Sequence, residues 1–337
     1  MKNETNRQSL YIREKPVFIC GHPKSGTSLL RSLLDNHPQL IVFPEETYFF
    51  RKFLPRSEGL SLKAQLELAE ELLIHIFKWN VSDPPAHQAG YPDRDYQNSI
   101  SFDQVRKNME IIANEKLNHS GDILRAAILA YGSAINNSTS IKKWWVEKST
   151  YNELFFSQII RWWPDAHFIH VVRDPRDNFA SYRRKHPEWS ASFFSRNWLR
   201  STNSGLINQG IVGPKQYWLL RYEELTNQPD ESINKLCDFL SIEDSSTLRI
   251  PTRNGEVWKG NSMFADRFDQ ISSSPVGRWE EDLNPQDAYI IQWSCKTIMQ
   301  MFNYEIKNTY TQRITIRSWI EVVLVRIRTF LSKQKIS

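Results

Sequence analysis

Short, uninterrupted apolar runs alternate along this chain with longer stretches whose apolar residues recur at helical spacing. Val17-Phe18-Ile19-Cys20 is such a run and ends at Gly21. Lacking polar alternation, it predicts a strand buried on both faces. Leu29, Leu30, Leu33 and Leu34 then fall on one helical face within residues 26–36, and 40–43 predicts a second strand. From about 61 to 135 the pattern is helical. Leu62, Leu66, Ala69, Leu73 and Ile76 form one stripe with Ser61 as N-cap, followed by Val105, Met109 and Ile112, and by Ala127, Ile128, Tyr131 and Ile135. Residues 83–99, rich in Pro, Asp and Tyr, predict a long loop. Strand signals return at 144–146, 168–172 and 217–221, with helices at 152–163, 176–186, 190–208 and 229–240. Buried strands alternating with helices predict an α/β fold, a parallel sheet flanked by helices, with a helical insertion over about 51–140.

Composition narrows the class. At 337 residues the chain is long enough to bury about three quarters of its unfolded surface, so no metal or disulfide staple is needed. No run approaches the ~18 apolar residues of a membrane span. Residues 1–15 are polar and predict a flexible tail without the apolar core of a secretory leader. Three widely separated cysteines predict a reducing, cytoplasmic setting rather than a disulfide framework, and no Cys/His cluster has zinc spacing. Segment 305–337 holds seven Lys/Arg against two Asp/Glu, which accounts for the entire formal charge of +5. The rest of the chain is balanced, which argues against nucleic acid as a partner. Ile316, Ile320, Val323, Ile327 and Leu331 lie on one face of that segment and predict a basic amphipathic helix. Such a helix docks on its own domain or a partner, or makes weak contact with a membrane surface.

The first apolar strand leads into Gly21-His22-Pro23-Lys24-Ser25-Gly26-Thr27-Ser28 and then a helix. Unpaired backbone N–H groups at a helix N-terminus bind phosphate oxygens, Gly26 permits close approach, and Thr27 and Ser28 add hydroxyls. In a Walker A loop lysine directly follows the second glycine and precedes the Ser/Thr that holds Mg²⁺. Here Lys24 lies inside the loop and Thr27 follows Gly26.

Pro23-Lys24-Ser25-Gly26-Thr27-Ser28 resembles the 5′-phosphosulfate loop of the sulfotransferases that use 3′-phosphoadenosine 5′-phosphosulfate (PAPS). Arg173-Asp174-Pro175-Arg176-Asp177, with Ser181 eight residues after Arg173, resembles that family's 3′-phosphate site. Val146-Glu147-Lys148-Ser149 and Arg221-Tyr222-Glu223-Glu224-Leu225 are similar to two further family stretches. The resemblance spans about 16–283 and implies a P-loop NTPase-like sheet in a sulfotransferase domain at 16–304. It implies PAPS as co-substrate, no metal, and in-line transfer of a sulfuryl group to an acceptor hydroxyl. Pro23 through Ser28, Arg173, Ser181, Tyr222, Gly277 and Arg278 are the implied cofactor-binding residues. Lys24 and Lys148 are the implied stabilisers of the transferring group. Arginine offers a planar fork to a phosphate dianion, and a strand end is where an open parallel sheet places its site.

Glu45-Glu46-Thr47 resembles the Glu-Glu-Thr of the tyrosylprotein branch and a glutamate of carbohydrate and bacterial members. This implies Glu46 as general base, with Glu45 the alternative. On their residues alone the two glutamates could instead cap a helix starting near Thr47. Likewise Lys148 could pair with Glu147, and Arg173 with Asp174 or Asp177. The resemblance implies a hydroxyl-bearing acceptor: a carbohydrate, lipid, small molecule or protein tyrosine. Trp189, Phe193, Phe194, Trp198, Trp258 and Phe264 are candidates for its walls. Two rival functions remain at this level, a P-loop nucleotide kinase or NTPase and a non-catalytic nucleotide-binding protein of the same fold.

Overall fold

The computed structural model describes residues 15–78, 100–115, 117–135, 142–258, 260, 270–307 and 315–333. The tail before residue 15, the loop at 83–99 and Phe264 lie outside them. Five parallel strands form the central sheet: β1 (Lys15–Cys20), β2 (Leu40–Val42), β3 (Trp144–Lys148), β4 (His167–Val172) and β5 (Tyr217–Arg221), in the order β2-β3-β1-β4-β5. Both faces are covered. Val17 and Ile19 join one apolar core with Leu40, Val42, Val146 and Ile169, whereas Phe18 and Cys20 join another with Ile41, Trp145 and Phe168. A strand buried on both sides needs no polar alternation, which is why these segments read as continuous apolar runs.

The connections place helices on both faces: α1 (Thr27–Leu34) after β1, then α2 (Leu62–Leu72), α3 (Phe102–Glu115) and α4 (Gly121–Ile135) between β2 and β3. Ser61 caps α2, its side chain accepting from the Ala64 N–H. Helix α4 starts at Gly121, one and a half turns before its sequence signal. Ile123, Leu124 and Ala126 through Gly132 are all buried, so the helix has no polar face for a periodicity to reveal. Beyond β3 the predicted helix at 152–163 is a 3₁₀ turn (Asn152–Phe155) followed by α5 (Phe156–Trp162). Then come α6 (Pro175–Arg183), α7 (Ala191–Val212), α8 (Tyr222–Asn227) and α9 (Pro229–Leu240). A small hairpin, β6 (Thr252–Arg253) with β7 (Glu256–Val257), precedes α10 (Pro285–Met301) and the C-terminal α11 (Ile316–Lys333).

A third core gathers α6, α7, α10 and α11. In α11 the apolar face marked by the sequence is not the one that docks. Ser318, Val322 and Val325 are buried, whereas Ile316, Ile320, Ile327 and Leu331 face solvent.

Register sets up the site. Ile19 lies opposite Lys148 on one side and Ile169 on the other. The segments after β1, β3 and β4 therefore leave the sheet at the same carboxyl edge, where β1 stands between the strands that wind outward in opposite directions. Open α/β sheets place their ligands at such an edge.

Candidate functional site

A cavity of about 620 Å³ opens at this edge, well within the size that takes a nucleotide-sized ligand. Its floor is the loop between β1 and α1. Gly21 and Gly26 have φ of +131° and +102°, and Lys24 itself is left-handed at +65°. Both glycines are also sterically required. A Cβ on Gly21 would lie 2.4 Å from the Val171 carbonyl oxygen, and one on Gly26 would lie 2.3 Å from the Tyr222 ring. Tyr222 thus closes directly over the loop. Gly26 is the N-cap of α1 and offers no side chain to the first amides of that helix, which leaves the anion-binding end of the helix toward the cavity. Pro23, Lys24, Gly26, Thr27 and Ser28 line the cavity; Ser25 is buried behind it.

Burial, with the Lys185, Lys148 and Arg173 cations nearby, lowers the Lys24 ammonium to about 7. His22 is buried beneath the loop and brought down to about 4 by desolvation, so at neutral pH it is an uncharged scaffold whose Nδ1 contacts the Pro23 carbonyl at 2.9 Å.

Arg173 continues from β4 into the cavity. Its Nη1 donates to the Lys24 carbonyl at 3.1 Å, its Nη2 to the Pro275 carbonyl at 2.9 Å, and the guanidinium stacks 4.6 Å from the Tyr222 ring centre. Neither neighbouring aspartate claims it by hydrogen bond. Asp174 pairs with Arg176 at 2.7 Å and caps α6, while Asp177 accepts from the Gly277 and Trp279 amides at 2.8 and 2.9 Å. Ser181, two turns into α6, lines the same wall. Gly277 and Arg278 are not among the described lining residues. Gln270, Ser272 and Pro275 are, so the C-terminal loop meets the cavity a few residues earlier than the sequence places it.

On the opposite wall the glutamate pair faces the end of β3. Buried Arg31 of α1 donates to the Pro44 carbonyl, and the Thr47 hydroxyl donates to Glu147 at 2.7 Å, so the chain is pinned on both sides of Glu45 and Glu46. Glu147 is fully buried and also accepts from Ser149 and Asn152, each at 2.5 Å. Lys148 therefore turns away from Glu147, and its Nζ lies 2.5 Å from Glu46 Oε1. Burial alone would raise the Glu46 carboxyl. The Lys148 charge and hydrogen bond, the Tyr48 hydroxyl and the Arg51 charge outweigh it and hold the group below the usual carboxylate range. Glu45 instead meets Arg253 at 3.2 Å. No regular helix begins at Thr47. Tyr48 is left-handed at φ +49° and a π-helical turn follows at Phe49–Phe53, so the glutamates face the cavity rather than cap a helix.

Several lining residues carry no motif in the sequence. Arg51 stacks between the Tyr48 and Tyr151 rings and donates to Thr150 at 3.3 Å; Tyr182 and Lys185 extend the Ser181 wall. A helical signal was available for Lys185, which follows Ser181 by one turn. Of the aromatics proposed as acceptor walls, Trp258 alone lines the cavity among the described residues. Phe194 and Trp198 are core, and Trp189 packs on Tyr182 and Phe193.

Comparison with known proteins gives the chain's family and fold. Among curated proteins, the omega-hydroxy-beta-dihydromenaquinone-9 sulfotransferase of Mycobacterium tuberculosis is 24% identical over 263 residues, covering 69% of this chain and 64% of its own length. Protein-tyrosine sulfotransferase A of Caenorhabditis elegans is 24% identical over 242 residues, covering 69% and 51%. The chain thus spans between about half and just under two thirds of the length of these relatives. The sulfotransferase domain of the curacin biosynthetic pathway superposes with a TM-score of 0.53 at 18% identity, over 87% of this chain and 99% of that one. The corresponding domain of the Synechococcus olefin synthase gives 0.53 at 21% identity, over 88% and 97%. These two likenesses establish the P-loop-type fold. The sequence profile of the sulfotransferase family matches residues 16–246, a span that includes the loop after β1, the Glu46–Lys148 pair, Arg173 and Tyr222, and the chain belongs to that family.

Proposed function

We propose that the protein transfers a sulfuryl group from PAPS to an acceptor hydroxyl, with Glu46 as base. One observation carries the reading: a single cavity brings together a phosphate loop, an arginine–serine wall and a buried carboxylate–ammonium pair. The donor set suits a ligand with phosphate at both ends of a nucleoside. The α1 amides, Lys24, Thr27 and Ser28 would hold the 5′ end, and Arg173 with Ser181 the 3′-phosphate. Glu46 takes the acceptor proton as the new S–O bond forms and the bond to the 5′-phosphate breaks. Lys24 and Lys148 stabilise the charge that grows on the leaving oxygens. The substrates named for the two curated relatives, a hydroxylated menaquinone and protein tyrosine, both offer a hydroxyl, and an acceptor of that kind fits Glu46. A cytoplasmic setting accords with three free, buried cysteines. No helix of the described residues is long and apolar enough to cross a membrane.

The test is calorimetric titration without Mg²⁺, comparing adenosine 3′,5′-bisphosphate with ADP. The bisphosphate is expected to bind and ADP to bind far more weakly. Arg173→Ala loses charged hydrogen bonding to the 3′-phosphate, about 1.5–3 kcal/mol in all, so affinity falls about 10- to 150-fold. Equal binding of both nucleotides, or ADP binding only with Mg²⁺, would revive the NTPase reading.

Lys24 adds a pH dependence. Below about 7 it is already an ammonium in the free protein. Above that pH it must take up a proton to pair with phosphate, which is itself fully ionised there, its second pKa being about 6. Affinity for the bisphosphate therefore falls as pH rises from 7 to 9, by up to about tenfold per unit. Lys24→Met should abolish the slope. A flat wild-type profile over this range would remove Lys24 from the phosphate site.

A further inference from the structure

Helix α11 carries two apolar faces, and the fold uses one. Ser318, Val322 and Val325 pack against α7 and α10, and Arg326 fastens the helix by donating from Nε and Nη2 to the Trp293 carbonyl at 3.1 and 2.7 Å. On the opposite side Ile316, Trp319, Ile320, Leu324, Ile327 and Leu331 are between 43% and 80% exposed. They form one row along a helix of 18 residues, about 27 Å long. Single exposed apolar residues are ordinary, but a contiguous row of six marks a contact surface.

The charges say what covers it. Arg317 and Arg328 border the row on one side and Arg326 on the other. The helix has a single acid, Glu321, which lies off the row and faces Arg317 at 3.5 Å. Two such faces brought together would set cationic rims against each other, with Glu321 the one acid of each helix and already facing Arg317. An anionic headgroup layer supplies the matching charge, and its acyl boundary takes the apolar row. Trp319 suits that depth, with an apolar ring and one polar N–H, and arginine stems can lie along the boundary with their guanidinium groups in the headgroups. We propose that α11 is a surface anchor: its inner face is docked on the domain and its outer face lies in the interface of an anionic lipid bilayer. The inner docking distinguishes it from a free amphipathic helix, whose second face is charged and solvated. It would hold the folded domain against the membrane without spanning it.

The inference does not rest on the transfer reaction, and its test needs no turnover. The full chain is sedimented with vesicles of phosphatidylcholine alone and of phosphatidylcholine mixed with phosphatidylglycerol. Binding to the mixed vesicles only is expected, weakened by salt because charge contributes. The double substitution Ile320→Gln and Ile327→Gln changes two side chains that are already exposed, so thermal melting and bisphosphate binding should be unaltered. Partitioning onto the mixed vesicles should fall about tenfold or more. Absence of binding to either vesicle, or equal binding by wild type and variant, overturns the proposal. So does a dimer seen by light scattering that the double variant abolishes, since the row would then belong to a second copy of the chain.

Discussion

Glu46→Gln should slow sulfuryl transfer by about 10²–10⁴-fold in kcat, the span of a positioned general base, while binding of adenosine 3′,5′-bisphosphate stays within a factor of a few. The substitution keeps the shape and a hydrogen-bond acceptor for Lys148, but removes the proton-accepting charge. Glu46 suits the role because the Lys148 and Tyr48 contacts and the Arg51 charge keep it ionised despite its burial. Anchors on both sides of it, Arg31 to Pro44 and Thr47 to Glu147, fix its position over the end of β3. Glu45 is the control. Its carboxylate is committed to Arg253 at 3.2 Å, so Glu45→Gln should cost much less than Glu46→Gln. Initial rates with labelled PAPS and a panel of phenols and aliphatic alcohols would measure both. Near-normal turnover by Glu46→Gln, with Glu45→Gln inactive, would move the base by one residue. Near-normal turnover by both would leave the cavity without a carboxylate base.

The contrast between these two neighbours shows where sequence reading stops. The inner strands were legible because they are buried on both faces, so composition alone reveals them: Val17 to Cys20 feed both cores in strict alternation. That the loop after β1 and Arg173 line the cavity was legible because they sit at strand ends, where the fold itself sets direction. Which glutamate faces Lys148 was not, because that depends on the backbone between Pro44 and Phe49. Buried Arg31, Glu147 and a left-handed Tyr48 shape it, and these contacts are far apart in sequence. The partners of Lys148 and Arg173 were hidden for the same reason. Glu147 and Asp174 are adjacent in sequence, yet each is taken by other groups. Arg51, Tyr151 and Tyr182 reach the cavity through tertiary packing and carry no local pattern. In α11 the row visible from spacing is real, but the face that docks is the less apolar one, Ser318 with two valines. Periodicity locates an apolar row and says nothing of what meets it.

Lys148→Met should lower kcat by about 10²–10³, the loss typical of one charge-stabilising donor, and should also move the pH profile. The two effects share a cause. In the free protein Lys148 holds Glu46 at 2.5 Å, an arrangement that keeps the base ionised but lowers its proton affinity. If the donor's oxygens draw the ammonium toward them, Glu46 would be partly released and would become a stronger base as transfer begins. Without the lysine, burial is opposed only by the Tyr48 hydroxyl and the Arg51 charge, so the Glu46 carboxyl rises. Because the base acts only when ionised, the acid limb of the kcat/KM profile must shift to higher pH. The variant therefore loses proportionally more activity at low pH than at high pH. Methionine approximates the length of the lysine stem, so the wall stays packed, and protonation of Glu46 averts a buried unpaired charge. The double variant Glu46→Gln with Lys148→Met should fall well short of the product of the single losses, since groups that act as a unit are not additive. An unmoved acid limb together with a fully multiplicative double variant would mean that the two side chains work independently, and the pair seen here would be only a resting contact.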